Sequence, residues 1–324
     1  SRHNAYYNLG ITEENCGNWL TAKEYFEKTL EIVDPYLDCY SRIGWMSIQL
    51  ENHSAAAIWF DKQIRNKPSE LSACIGMAEA LMCQDDSLGA EAVLRSGLNT
   101  VDRAEKVYER LLRLFNNTEQ WEKTVSLSDT ALKKFPQDSV LYLRKAEAKL
   151  MLRNYTEAIK CFNQAEGLGE SSIDQSLGFA NACFMLEQNT EAVKHYRKAL
   201  EYDKHSAIIH RNIGIALART GELEESIKFL KSYTEIAPED TSILMILGAA
   251  YYKNNDIRQA IVIYENMLRD NPEDRDALLA ISDCYLKLGS SESALLGYQR
   301  LIKSNPSDKD AQLRIDAMCG IAPL

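Results

Sequence analysis

The chain has 324 residues, of which 45% are hydrophobic, 15 are glycine and 7 are proline, a composition that suits an all-helical folded protein. Its formal net charge of −10 argues against nucleic acid as the general partner, because binding to phosphates requires a basic surface. The sequence contains no run of 18 apolar residues, so we predict no insertion into a membrane.

One spacing recurs along the whole chain. A small residue is followed twelve positions later by alanine or serine, and this pair repeats with a period of 34 residues. In chain order the pairs are Gly10/Ala22, Gly44/Ala56, Ala78/Ala90, Ala146/Ala158, Ala180/Ala192, Gly214/Ser226, Gly248/Ala260 and Ser282/Ala294. Leu112 and Thr124 occupy the remaining slot of the frame as a weaker match. A fixed period of this length indicates a solenoid, whose units are stable only when they stack on neighbours.

The period divides the chain into nine units without insertion or deletion, and we predict that they form one continuous solenoid. The predicted units are 3–36, 37–70, 71–104, 105–138, 139–172, 173–206, 207–240, 241–274 and 275–308, followed by a capping helix and tail at 309–324.

Each unit is predicted to hold two helices, because apolar residues recur at steps of three and four in both of its halves. A large apolar residue, aromatic in most units, stands four positions after the alanine or serine and is expected to cover the seam between neighbours. These residues are Phe26, Phe60, Leu94, Phe162, Tyr196, Leu230, Tyr264 and Tyr298. Four aspartates precede predicted first helices, where a carboxylate can accept hydrogen bonds from free N–H groups. They are Asp138, Asp240, Asp274 and Asp308.

The last predicted helix, from about Lys309 to Cys319, is expected to cap the ninth unit. One of its faces should cover that unit and the other should face water. The covering residues are predicted to be Ala311, Leu313, Ile315 and Met318, and the water-facing residues Gln312, Arg314 and Asp316.

This pattern resembles the tetratricopeptide repeat family, a 34-residue helix–turn–helix unit, and the match extends over residues 3–308. The resemblance implies an all-α fold, namely a right-handed superhelical solenoid of nine helix–turn–helix repeats with a C-terminal capping helix. Unit four departs from the family pattern at Leu112, Thr124 and Ser128, and we expect a bend or a softer joint there.

Motifs for catalysis or metal binding are missing from the sequence. It contains no glycine-rich phosphate loop, and its five histidines show no His-x-x-x-His spacing. His205 and His210 flank a predicted turn, and we interpret their proximity as accidental. We therefore predict a protein that is not an enzyme and that has no cofactor and no metal.

The resemblance also implies that the first helix of each unit lines a concave groove. In units five and six the inward rows would form an apolar floor with two polar anchors. The floor residues are Leu143, Leu150, Met151, Leu177, Phe184 and Met185, and the anchors are Glu147 and Asn181. An exposed apolar patch of this kind usually marks a binding surface. Packing between adjacent units is an equal alternative for Leu150, Met151 and Met185, whereas the groove is favoured for Leu143, Leu177 and Arg211.

Further inward-facing residues are cationic or large. Units seven and eight contribute Arg211, Arg219, Met245, Tyr252 and Lys253. With the apolar floor, they predict a protein or peptide partner such as an amphipathic helix with acidic flanks. Trp45 in unit two is a separate candidate anchor, because a large aromatic residue on the inward row has no packing role there. The Lys and Asn residues of the family's carboxylate clamp are not found in the first units, which disfavours that binding mode.

The cysteines bear on the compartment. The eight cysteines form no Cys-x-x-Cys pair, and most fall on apolar steps of helical patterns. We interpret them as small buried hydrophobic residues in a reducing, cytoplasmic compartment. The chain starts at Ser1 and enters its first predicted helix almost at once, so we expect an excised fragment or a processed chain. The periplasm or another compartment is the alternative if a targeting segment was removed.

The leading hypothesis is a non-catalytic scaffold that binds a partner protein or peptide in the groove. The alternative is a targeting or assembly arm of a larger enzyme, or of a secretion or export complex, whose catalytic or membrane part lies outside this sequence. Self-association through the repeat ends or the groove is a third possibility.

Overall fold

The computed structural model describes residues 1–169 and 172–320, and this part of the chain contains nineteen α-helices and no strand. It divides into two compact units, residues 1–170 and residues 171–324. The helices of the first unit are α1 (Arg2–Asn15), α2 (Trp19–Leu30), α3 (Cys39–Gln49), α4 (His53–Asn66), α5 (Leu71–Met82), α6 (Ser87–Thr100), α7 (Ala104–Asn117), α8 (Trp121–Lys134), α9 (Ser139–Met151) and α10 (Tyr155–Gly167). Those of the second are α11 (Ile173–Met185), α12 (Asn189–Tyr202), α13 (Ala207–Thr220), α14 (Leu223–Ile236), α15 (Thr241–Lys253), α16 (Ile257–Asp270), α17 (Arg275–Lys287), α18 (Ser291–Ser304) and α19 (Lys309–Met318).

Within each compact unit the helices pack as helix–turn–helix pairs, and the second helix of one pair packs on the first helix of the next. The first helices of neighbouring pairs also contact one another, as α5 does with α3 and α7, and α15 with α13 and α17. The all-α prediction with paired helices is confirmed, whereas the division into nine units as one continuous solenoid stays a prediction. We call the side of the first helices that carries the predicted groove residues the first-helix surface of each compact unit. In the first compact unit these residues are Trp45, Leu143, Glu147, Leu150 and Met151, and in the second they are Leu177, Asn181, Phe184, Met185, Arg211, Arg219, Met245, Tyr252 and Lys253.

Most helix pairs close on a small residue of the first helix, against which a ring of the second helix lies. A Cβ atom added at Gly44 would lie 2.7 Å from ring atoms of Phe60, and the same is true of Gly10 with Phe26. Phe60 also lies against Gly76 of the next pair, so a single ring fills the space beside two glycines. We call this contact between the two helices of a pair the seam. Burying such a side chain contributes about 1.5–3 kcal/mol, so the seam both fixes the helix spacing and stabilises the pair.

The pair α7/α8 uses the same seam with the sizes reversed. Leu112 stands where other pairs have a small residue, and Ser128 stands where they have a ring, yet both are fully buried. Thr124 is also buried and donates a hydrogen bond from Oγ1 to Asn116 Oδ1 at 2.8 Å. A large residue opposite a small one keeps the summed volume close to that of the other pairs. The departures that suggested a softer joint therefore compensate each other in size.

The turn inside every pair contains one residue in the left-handed region of φ. These residues are spaced by 34 and have φ between 55° and 88°: Gly17, Glu51, Asp85, Glu119, Arg153, Glu187, Gly221, Asn255 and Gly289. Only three of them are glycine, although a side chain with a Cβ atom is disfavoured in this region. The turn geometry is thus imposed by the packed helices rather than by the local residue.

The predicted helix caps are confirmed. Asp138 Oδ1 accepts from the backbone N–H groups of Val140 and Leu141 at 3.0 and 3.3 Å. The three other aspartates each accept one backbone N–H bond at 2.9–3.3 Å, namely Asp240 from Ile243, Asp274 from Ala277 and Asp308 from Ala311. Such a cap contributes about 1 kcal/mol to a helix.

The capping helix α19 differs from its prediction at two residues. Ala311 is buried and Ile315 and Met318 pack on the last pair, but Leu313 is 50% exposed. Arg314 does not simply face water, because it donates to both oxygens of Asp283 on α17 at 2.6 and 2.9 Å. This two-bond ion pair helps to set the position of α19, and the predicted face of the helix is wrong to that extent.

Five of the eight free cysteines are buried, and Cys16, Cys83 and Cys319 are exposed. Burial raises the pKa of Cys74 to about 11 and that of Cys183 to about 11. A thiol with a raised pKa is a poor nucleophile, so the buried cysteines act as small hydrophobic residues, as the sequence indicated.

The left-handed turn position gives a first prediction. Glu187→Gly should increase the free energy of unfolding by up to about 1 kcal/mol, because relief of about 1–2 kcal/mol at positive φ exceeds the added chain entropy of about 0.4–1 kcal/mol. Gly221→Ala, at the equivalent turn, should lower it by about 1 kcal/mol. Urea denaturation followed by circular dichroism measures both changes, and shifts of the same sign in the two variants would contradict the prediction.

The shared ring gives a second prediction. Gly76→Ala should lower the free energy of unfolding by about 1–3 kcal/mol, because its Cβ would overlap the Phe60 ring and overpack the seam. Gly167→Ala is the control, since a Cβ there meets nothing within 4 Å, and it should stabilise the chain by about 0.4–1 kcal/mol. Equal effects of the two substitutions in thermal denaturation would show that the seam does not require glycine.

Candidate functional site

The first-helix surface of residues 172–320 carries cations that lie over aromatic rings. The Arg219 guanidinium on α13 is 4.4 Å from the centroid of the Phe184 ring on α11. The Lys287 ammonium on α17 is likewise 4.4 Å from the centroid of the Tyr252 ring on α15, and it donates to the Tyr252 carbonyl at 3.1 Å. A cation over a ring contributes about 0.5–1 kcal/mol at an exposed site. Both side chains of each pair are therefore held in place on this surface.

These contacts follow from the repeat period. Met185, Arg219, Lys253 and Lys287 are spaced by 34 residues and form one column along the first helices, which we call the cation column. The residues one position earlier form a second column, Phe184, Ala218, Tyr252 and Leu286. In the two contacts above, a cation lies over the ring 35 residues before it. Lys253 has Ala218 at that place, so no ring is available to it.

All three cations of this column are exposed, and Lys287 also donates to a backbone carbonyl. Arg219 and Lys253 are exposed, and neither lies within ion-pairing distance of a carboxylate among the residues that the structure describes. Met185 at the start of the column is 54% exposed. The column therefore offers positive charge next to exposed apolar area.

Arg211 lies on α13 about two helical turns before Arg219, and its guanidinium already has partners within the protein. Its Nε lies 3.8 Å from Asp240 Oδ2, and its NH1 donates to Asn212 Oδ1 at 3.3 Å. The Asp240 carboxylate also accepts from Tyr233 Oη at 2.8 Å. Hydrogen bonds from Ser242 and Tyr233 hold the pKa of Asp240 below its usual range, so it remains a carboxylate beside Arg211.

The other predicted residues of this compact unit are half-buried. Asn181 accepts a hydrogen bond from Tyr196 Oη at 2.6 Å through Oδ1, which orients its amide group. Leu177 is half-buried, and Met245 packs against the hydrophobic cluster of the α13–α17 region. Phe184 and Tyr252 pack partly against the same cluster. These side chains therefore present only part of their area at the surface.

On α9, in residues 1–170, the predicted apolar floor is only partly present. Leu143 is wrong as a floor residue, because it is only 5% exposed and packs inside the repeat stack. Leu150 is half-buried and Met151 is 56% exposed. The anchor Glu147 already accepts from Arg144 at 2.9 Å and from Asn116 at 2.9 Å. Its carboxylate is thus committed to neighbours on α9 and α7.

Trp45 has a packing role that the sequence did not indicate. Its ring meets that of Phe60 edge to face, with the centroids 5.5 Å apart. Its Nε1 donates to Ser72 Oγ on α5 at 2.8 Å. The premise that this residue has no packing partner is wrong, because the ring lies against the seam of its own pair and bonds to the next one.

The structure reveals one feature that sequence reasoning missed, a cavity between α5 and α7 with a volume of about 150 Å³. It lies beside the seam of Ala78 and Leu94. The signal was present in the sequence, since leucine occupies there a position that is aromatic in most pairs.

Metal-binding clusters and membrane-spanning helices are both absent from the described residues. Across residues 1–169 and 172–320, no group of three or more His, Cys, Asp or Glu side chains is arranged to hold a metal ion. None of the helices in the described ranges is long and apolar enough to cross a membrane.

Known proteins that are similar to this chain share its repeat fold. A tetratricopeptide repeat model matches residues 76–305, and no curated protein matches the chain. YrrB, a tetratricopeptide repeat protein with an unusual peptide-binding site, is 19% identical, with a TM-score of 0.52 over 57% of this chain and 95% of that chain. The C-terminal part of a repeat protein from Cytophaga hutchinsonii is 14% identical, with a TM-score of 0.56 over 74% of this chain and 99% of that one. PilF from Pseudomonas aeruginosa is 16% identical, with a TM-score of 0.51 over 63% and 93%. At these identities the likeness concerns the fold alone.

Proposed function

We infer the function of this chain from its family: it belongs to the tetratricopeptide repeat family, whose members generally serve as non-catalytic scaffolds for protein–protein interaction. Our finer proposal is that the first-helix surface of residues 172–320 binds a partner segment that carries apolar side chains with acidic flanks. The observation that supports it is the cation column beside the half-exposed rings of Phe184 and Tyr252.

The charged residues of this surface would select a partner with acidic residues. The chain as a whole is acidic, with a formal net charge of −10, whereas this column carries exposed cations. A carboxylate of a partner could form ion pairs with Arg219 and Lys253 without displacing an existing ion pair. Complementary charge of this kind accelerates association and suppresses wrong partners. The acidic remainder of the chain would repel an acidic segment that docked elsewhere.

The apolar residues of this surface would supply most of the affinity for the partner. Met185 is exposed and Phe184 and Leu177 are half-buried, so all three retain area that a partner could cover. Thioether and aromatic side chains adapt to varied partners and supply large contact area. An amphipathic helix fits this description, because its apolar residues recur on one face while its flanks remain charged.

The experiment uses two synthetic amphipathic 16-residue peptides with identical leucine positions, one with glutamate flanks and one with lysine flanks. The wild-type chain should bind the glutamate peptide more tightly, and the affinity should fall as salt is raised. The double variant Arg219→Glu/Lys253→Glu should bind it at least about tenfold more weakly, which corresponds to about 1.4 kcal/mol. Fluorescence anisotropy gives each dissociation constant.

A matched control separates the site from net charge. Lys228 and Lys231 on α14 are exposed, and reversing both changes the total charge by the same amount. This control should retain the affinity of the wild type, whereas Leu177→Ala/Phe184→Ala should weaken binding by about 2 kcal/mol or more. Equal losses in the two charge-reversal variants, or an affinity independent of salt, would contradict the proposal.

A further inference from the structure

The cavity between α5 and α7 has an apolar floor. The floor is formed by Ile75, Ala78, Met82, Leu94 and Leu114. Its volume of about 150 Å³ is enough for one large apolar group, because an apolar cavity of this size can hold a benzene molecule. All of its lining residues lie on α5, α6 or α7, within residues 1–170.

The cavity has a cause in the sequence. The second helix of a pair usually places a ring on the small residue of the first, as Phe162 does in the pair with Ala146, where both residues are fully buried. In the α5/α6 pair the small residue is Ala78, but the second helix supplies Leu94, which is smaller than a ring. Leu94 lines the cavity, and a ring at this position would reduce its volume.

The mouth of the cavity is charged. Arg113 and Asn117 are exposed on α7, and Arg110 lies 3.8 Å from Glu79 on α5. Arg113 has no ion-pair or hydrogen-bond partner in the ranges that the structure describes. The mouth therefore combines the Arg110–Glu79 ion pair with the accessible guanidinium of Arg113. The side-chain amide of Asn117 lies four residues after Arg113 on the same helix. A carboxylate at the mouth could accept from both Arg113 and Asn117.

We propose that this cavity recognises an internal peptide segment of a partner, with a phenylalanine or leucine side chain in the cavity and a neighbouring aspartate or glutamate on Arg113. The proposal rests on the proposed function, since it assigns a second contact to a scaffold that binds partner segments. All of the lining residues lie in helices. The segment is proposed to be internal because a side-chain carboxylate is enough to pair with Arg113, so no chain end is needed.

The test uses the pentapeptide acetyl-Asp-Glu-Phe-Asp-Glu-amide, whose blocked ends remove any chain-terminal carboxylate. The chain is labelled with ¹³C at its methionine methyl groups, and the Met82 signal is identified by its loss in Met82→Leu. The peptide should shift the Met82 signal in a saturable way. Replacing its phenylalanine by alanine, or its acidic residues by asparagine and glutamine, should weaken binding at least about fivefold.

Leu94→Phe is the decisive variant. It restores the residue found in the Ala146/Phe162 pair, so the seam has a precedent in this chain and the helical circular dichroism should be retained. It should abolish the Met82 response by filling the cavity. Arg113→Gln should keep the response but lose the preference for the acidic peptide.

Several results would overturn the inference. They are an unchanged Met82 signal at saturating peptide, an equal response in folded Leu94→Phe, or binding only by a peptide with a free C-terminal carboxylate. The Arg219→Glu/Lys253→Glu variant keeps the two proposals apart, because it should leave the Met82 response intact. A normal Met82 response with no effect of those reversals on the 16-residue peptide would refute the proposed function alone, and the opposite pattern would refute the cavity alone.

Discussion

The close approach of the two helices in each pair is the constraint on which the rest of the structure depends. A side chain of the second helix lies on a small residue of the first, as Phe60 does on Gly44 and Tyr264 on Gly248. This contact uses one side of each helix, and stacking on the neighbouring pairs uses further sides. What remains of the first helices is then free to carry residues that packing does not dictate. The seam therefore determines both the fold and which surface can change without harming it.

The elements that follow directly from the seam could be predicted from the sequence. The period, the two helices per unit and the capping aspartates depend on local spacing and on a backbone geometry that repeats every 34 residues. The left-handed turn residue also recurs at that period, but its side chain changes from glycine to glutamate and arginine, so residue type did not reveal it. A regular backbone makes features visible in a single sequence only where residue type repeats with it.

The candidate site was predicted less well, because inward side chains find partners on adjacent repeats. Trp45 bonds to Ser72, 27 residues away, and Arg314 is held by Asp283, 31 residues away. Spacing within one helix does not reveal these contacts. Leu143 is a second case in which spacing within one helix was not sufficient, since its position on the predicted inward row proved to be buried. The cavity beside Leu94 was missed because no motif records empty space, and its one signal was a leucine at a position that is aromatic in most pairs.

Both proposed contacts favour the same partner chemistry through independent residues. In residues 172–320 the cations Arg219 and Lys253 stand beside Met185 and a covered ring, and in residues 1–170 Arg113 stands above an apolar cavity. Apolar area gives affinity and the adjacent cation gives selectivity for acidic neighbours. An overall acidic chain that places these cations beside apolar contacts would discriminate against both basic and purely apolar segments.

We propose that the first helices, and not the second, hold the partner. The most direct measurement is photo-crosslinking from a benzophenone side chain placed singly at exposed positions of each set. Positions 185 and 253 represent the first helices, and positions 262 and 296 on α16 and α18 represent exposed apolar sites on the second. We expect crosslinks to a glutamate-flanked amphipathic peptide from 185 and 253 only. Crosslinks from 262 and 296, with none from 185 and 253, would contradict it.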